Sequence, residues 1–144
     1  MLDKMGRDEM HYRIAHINIP IMENKEDVIR DIKSIENPNF QDNKGVSYLH
    51  MACQAHSLEA IKTLLELGAD PNIDDNYQSS PVTWALGSLN KCNKEILELM
   101  LKYGLDLYKN ERGQTLIEWI KMFKNDEYNS VIEKYTVKKD KNDE

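Results

Sequence analysis

The chain has 144 residues and a net charge of −6, with 19 lysines and arginines against 25 aspartates and glutamates. An apolar share of 40% and a charged share of 31% describe one globular domain with a core, and exclude a disordered chain. No apolar run approaches the ~20 residues of a membrane helix. The first residues lack the apolar centre of a signal peptide, and an acidic balance is wrong for neutralising phosphates. A membrane-spanning role and nucleic-acid binding are therefore excluded, and a cytoplasmic location is expected.

Residues 1–5 are expected to fray. Residues 8–17 carry Met10, Ile14 and Ile17 at helical spacing, and that helix ends before Pro20. Asn24 is placed to cap a helix over 25–35 that buries Val28, Ile29, Ile32 and Ile35. Residues 42–45 form a turn. Helices over 48–55 and 58–67 follow, with Ser57 as cap, Gly68 as stop, and Leu49, Ala52, Ile61, Leu64 and Leu65 as core. Residues 75–79 turn again, but Gln78 stands where the earlier turn has Gly45, so this turn is expected to be strained or altered. Ser80 is expected to cap a helix over 81–86 that opens on Pro81. Leu89-Asn90-Lys91-Cys92-Asn93 reads as an insertion before a helix over 94–103, which Gly104 ends. A third turn at 110–113 leads to helices over 115–123 and 126–135. The residues from 136 to 144 are mostly charge and amide and are expected to be disordered.

The turns recur. A shift of 33 carries Asp42, Ser47 and Ala52 onto Asp75, Ser80 and Ala85, and a shift of 36 carries Leu65, Gly68 and Asp70 onto Leu101, Gly104 and Asp106. Asn37-Pro38-Asn39-Phe40 echoes Asp70-Pro71-Asn72-Ile73. The stretch from Asp42, through Ser47-Tyr48-Leu49-His50-Met51-Ala52 to Gly68-Ala69-Asp70-Pro71-Asn72, resembles an ankyrin repeat, with Ser47 and Tyr48 in place of the usual Thr-Pro. The resemblance implies an all-α solenoid of about four stacked helix-turn-helix repeats with divergent terminal caps. Their expected bounds are 8–40, 41–73, 74–108 and 109–135.

Catalytic motifs are missing from the sequence: there is no Gly-x-Ser-x-Gly, no P-loop and no glycine-rich dinucleotide turn. His50, Cys53 and His56 have a His-x-x-Cys-x-x-His spacing, but a zinc site needs a fourth group and a closed tetrahedron. The resemblance instead makes His50 a tie between neighbouring loops. Cys53 reads as a small interior residue, and a disulfide to Cys92 is not expected. Asp75 reads as a turn cap and Asp74 as its exposed neighbour. No enzyme activity, cofactor or metal is expected.

What the resemblance implies is protein binding through a concave face of hairpin tips and inner helices. Carried over by position, the contact residues are Lys44, Val46, Gln54, Asp74, Asn76, Tyr77, Ser79, Trp84, Ser88, Glu111, Arg112, Gln114, Trp119 and Met122. Met51, Trp84 and Trp119 share one repeat position and are expected to be core or partly buried. Tyr77 stands out as a large aromatic at a loop tip. Residues 42–106 carry five lysines and nine carboxylates, so an acidic face and a basic partner are expected. Size, isolation, and abundant Lys, Asn and Ile suggest a monomeric bacterial immunity protein that neutralises a cognate toxin. The alternative is an effector or adaptor that binds a host or regulatory protein.

Overall fold

The computed structural model describes residues 2–142, with side chains as far as residue 136. Among these described residues eight helices follow one another: α1 (Glu9–Ala15), α2 (Lys25–Ile32), α3 (Tyr48–Gln54), α4 (Leu58–Glu66), α5 (Pro81–Leu86), α6 (Asn93–Lys102), α7 (Leu116–Lys121) and α8 (Asp126–Asn142). Between α6 and α7, β1 (Asn110–Glu111) pairs antiparallel with β2 (Gln114–Thr115), so a small ladder joins the expected all-helical fold. The helices stack in two rows. An inner row runs α1, α3, α5, and an outer row runs α2, α4, α6, α8. The core lies between the rows, where Leu49, Ala52, Cys53, Ile61, Leu64, Val82, Ala85, Ile96, Leu97 and Met100 have no exposed surface. Ala52 and Ala85 are small because the helices cross closely there.

Local chemistry sets the element ends. Asn24 and Ser57 cap α2 and α4 by accepting from Asp27 N (3.0 Å) and Ala60 N (3.2 Å). Gly68 and Gly104, both at φ +100°, let Ala69 N and Leu105 N turn back onto the Leu64 and Met100 carbonyls. The outer row is also clipped by asparagines one repeat apart. Asn39 Oδ1 accepts from Asp70 N, and Asn72 Oδ1 accepts from Asp106 N, each at 2.7 Å.

Several expectations are corrected. The N-terminus does not fray from residue 3 onward. Asp3 Oδ1 accepts from Met5 N and Arg7 N, Gly6 takes φ +76°, and Arg7 Nε donates to Asp42 at 2.7 Å. An ordered turn at Asp3 therefore precedes the residues 8–17 expected to open the first repeat. At the other end α8 continues to Asn142, past the expected disorder from 136, because no proline or glycine interrupts it; residues 143 and 144 lie outside the described residues. Ser80 does not cap α5 with its side chain, and its Oγ is buried without a partner. Asn93 belongs to α6 and not to the insertion, since its buried Nδ2 donates to Ser88 O and Tyr128 Oη.

Candidate functional site

Each repeat begins with a short finger, a turn whose first residue folds it. Asp42 Oδ1 accepts from Lys44 N and Val46 N, both at 2.8 Å. Asp75 Oδ1 accepts from Tyr77 N at 2.9 Å and Ser79 N at 3.0 Å. Asp3 does the same for Met5 and Arg7. An aspartate that binds the amides two and four residues on fixes the turn without help from elsewhere. The fourth residue needs a left-handed backbone, taken by Gly6, Gly45 and Gly113, and by Gln78 at φ +60°.

The fingers stack on one another. Asn43 N donates to Met5 O at 2.7 Å and Asn43 Nδ2 to Lys4 O at 3.2 Å; one repeat later, Asn76 N donates to Lys44 O at 2.8 Å and Asn76 Nδ2 to Asn43 O at 2.9 Å. Stacking leaves one residue at each tip, just before the left-handed position: Met5, Lys44, Tyr77 and Arg112. All four are exposed, Tyr77 by 67%.

Beneath the tips, imidazoles tie the repeats. His50 Nδ1 accepts from Ser47 N at 3.1 Å, and its Nε2 donates to Ser79 O at 2.8 Å. His11 is its counterpart one repeat earlier, donating from Nε2 to Val46 O at 3.0 Å. Thr83 stands at the histidine position of the third repeat. There Glu111 reaches back from the fourth, and its Oε1 accepts from Ser80 N at 3.0 Å. Lys109 bridges Glu111 and Asp74. Burial alone would lower the Lys109 pKa, but these two carboxylates outweigh it and raise the value. Desolvation pushes His50 below the ordinary histidine range, so it stays neutral.

The sequence-predicted contact residues divide. Lys44, Gln54, Asn76, Tyr77, Ser88, Arg112 and Met122 are exposed. Asp74, Trp84, Gln114 and Trp119 are half-buried; Trp84 Nε1 donates to Asp75 Oδ2 at 3.0 Å with its ring edge-on to His50, and Trp119 packs edge-on to Phe123. Met51, at the same repeat position, is core. Val46, Ser79 and Glu111 are buried. The first two lend their carbonyls to His11 and His50, and Glu111 is drawn inward by the Ser80 amide.

The charge expectation also changes. Of the nine carboxylates in residues 42–106, Glu59, Glu66, Glu95 and Glu98 lie on the outer helices α4 and α6. Asp42 and Asp75 are buried turn caps, Asp70 and Asp106 cap the exit loops, and Asp74 is paired with Lys109. The finger row instead carries the exposed cations Lys44 and Arg112. None of the nine carboxylates stands at a finger tip.

His50 and His56 serve different carbonyls, His56 Nε2 donating to Ala85 O at 2.9 Å. Among the described residues no three His, Cys, Asp or Glu side chains converge on a metal position. Cys53 is wholly buried, and burial raises its thiol pKa; it and Cys92 are free.

Residues 17–116 match the family model for ankyrin repeats in three copies. The chain is an ankyrin-repeat protein. It is 32% identical over 104 residues to an ankyrin repeat protein of fowlpox virus (strain NVSL), covering 72% of this chain and 16% of the viral one. It is 29% identical over 117 residues to human transient receptor potential cation channel subfamily A member 1, covering 80% of this chain and 10% of the channel. Human SH3 and multiple ankyrin repeat domains protein 2 is 38% identical over 61 residues, which are 40% of this chain and 3% of that protein. The chain thus spans a sixth or less of the length of these relatives. Ankyrin repeats are protein-interaction modules, and this chain is built as one. Among its described residues no helix is long and apolar enough to cross a membrane.

Proposed function

We propose that this ankyrin-repeat protein binds another protein through its finger tips and along its inner helices, and performs no chemistry on it. The observation that carries the reading is the stacked row of tips. Met5, Lys44 and Tyr77 make no side-chain contribution to the turns that hold them, so these tips can vary without loss to the fold, and Arg112 keeps its side chain at the fourth tip despite φ +54°. Gln54, Ser88 and Met122 carry the same surface on to the C-terminal ends of α3, α5 and α7, the ends away from the fingers. Asp74, Asn76, Trp84, Gln114 and Trp119 support it from beneath. Tyr77 is the anchor, because an exposed aromatic at the centre of a face is where binding energy concentrates.

Photo-crosslinking tests this directly. A benzophenone amino acid replaces Tyr77 or Gln54 on the proposed face, and Glu66 or Glu95 on the outer helices, in cells that express the protein. A discrete adduct at the first pair and none at the second is expected. Adducts only at the outer positions would overturn the reading.

A second reading, an immunity protein that neutralises a cognate basic toxin, draws on the net charge of −6 and on Glu59, Glu66, Glu95 and Glu98. Those carboxylates put such a partner against the outer helices. Charge reversal at Glu59 and Glu95 would then abolish protection in a toxin co-expression assay. The finger row favours the adaptor reading, with a regulatory or host protein as partner.

A further inference from the structure

The partner's chemistry follows from the order of side chains along the finger row, and rests on that row being the binding face. The tips read Met5, Lys44, Tyr77, Arg112: apolar, cation, aromatic, cation. In a protein of net charge −6, these two cations enter no ion pair among the described residues. Arg7, Arg13 and Arg30 all bond carboxylates of the chain, whereas Arg112, among the described residues, bonds none. Arg112 is moreover held at φ +54°, a conformation that disfavours any side chain. Lys44 likewise has no carboxylate partner among the described residues, although its own carbonyl anchors the next finger.

We propose that the row takes an extended acidic peptide segment of the partner, with carboxylates on Lys44 and Arg112 and an apolar side chain between them on Tyr77. Spacing gives the register. Stacked helices sit about 8–10 Å apart, so Lys44 and Arg112, two repeats apart, are separated by roughly 16–20 Å. An extended chain advances about 3.3 Å per residue, so the two carboxylates fall five or six residues apart in the segment. Arg112 suits the bidentate contact a carboxylate offers, and Lys44 a point charge. Phosphates could meet the same two cations, but a nucleic acid brings many charges to a molecule that is itself acidic, and only two cations in this row oppose them.

Selection from a phage-displayed library of random twelve-residue peptides against the full chain tests this. Recovered sequences are expected to be rich in Asp and Glu, with two acidic positions five or six apart around an apolar one. Their binding at ~0.15 M salt, where exposed pairs are partly screened, is expected to fall at least tenfold in the double variant Lys44→Glu/Arg112→Glu, and less than twofold in Glu59→Lys/Glu95→Lys. All four side chains face solvent or nearly so, and unchanged unfolding midpoints are expected to exclude misfolding as the cause. Basic or neutral peptides that are lost in Tyr77→Ala would overturn the acidic chemistry while leaving the finger face as the binding site. Peptides lost only in the outer-helix variant would overturn both. No recovered peptide, or tighter binding of a single-stranded oligonucleotide than of any peptide, would also overturn the proposal.

Discussion

His50 concentrates the argument at the scale of one residue. Both ring nitrogens are engaged inside the stack, one by the Ser47 amide and one by the Ser79 carbonyl. His50→Ala leaves the buried Ser47 amide unpaired and takes from the Ser79 carbonyl one of its two donors, the other being Asp75 N at 3.0 Å; it is expected to cost about 2 kcal/mol, read from the urea midpoint. The same geometry sets a pH response. Desolvation lowers the folded pKa below the ordinary value of about 6.5, so between the two values the unfolded chain binds the extra proton. Stability is therefore whole above pH ~6.5 and falls as the pH drops through the window below it. His50→Gln is expected to be less stable at pH 7 but to lose less between pH ~6.5 and 5. An equal loss in both proteins would contradict this.

Glycine and its substitutes decide at the scale of the finger. A Cβ on Gly45 would come within 2.8 Å of Asn76 N in the next finger, and φ there is +77°; Gly113, at φ +89°, has nothing within 4 Å. Gly113→Ala is expected to cost only the backbone conformation, about 1 kcal/mol, and Gly45→Ala about 2–3 kcal/mol because the fingers must separate as well. Gln78 already bears the backbone strain at φ +60°, so Gln78→Gly is expected to gain about 0.5–1 kcal/mol in thermal or urea unfolding. Equal costs at Gly45 and Gly113 would mean that the fingers do not stack as described. The sequence carried the strain at Gln78 plainly, since glycine stood at the matching place one repeat before. It also carried the first finger. Asp3-x-x-Gly6-x-Asp8-x-x-His11 repeats Asp42-x-x-Gly45-x-Ser47-x-x-His50, but 39 residues away, and a search at 33 passes over it. The extra length sits between α1 and α2, in a loop that leaves the finger untouched.

The whole molecule behaves as a row of neighbours, each repeat buried mainly against the next. Helix periods, turn residues and repeat spacing made that legible from the chain alone, because each is a local rule. The surface was less legible. A charge count over residues 42–106 gave an acidic segment, yet the acids sort onto α4 and α6 or into buried turns, and that sorting depends on which helix face meets the neighbour. Glu111 shows the same limit. Its position marks a tip residue, and only the missing histidine at Thr83 explains why it turns inward to the Ser80 amide. Amide hydrogen exchange of the chain, free and bound to the protein crosslinked at Tyr77, tests the central claim most directly. Slowed exchange at the tips 43–45, 76–78 and 111–113 and at the C-terminal ends of α3 and α5, with α4 and α6 unchanged, is the predicted result. Slowing confined to α4 and α6 would contradict it.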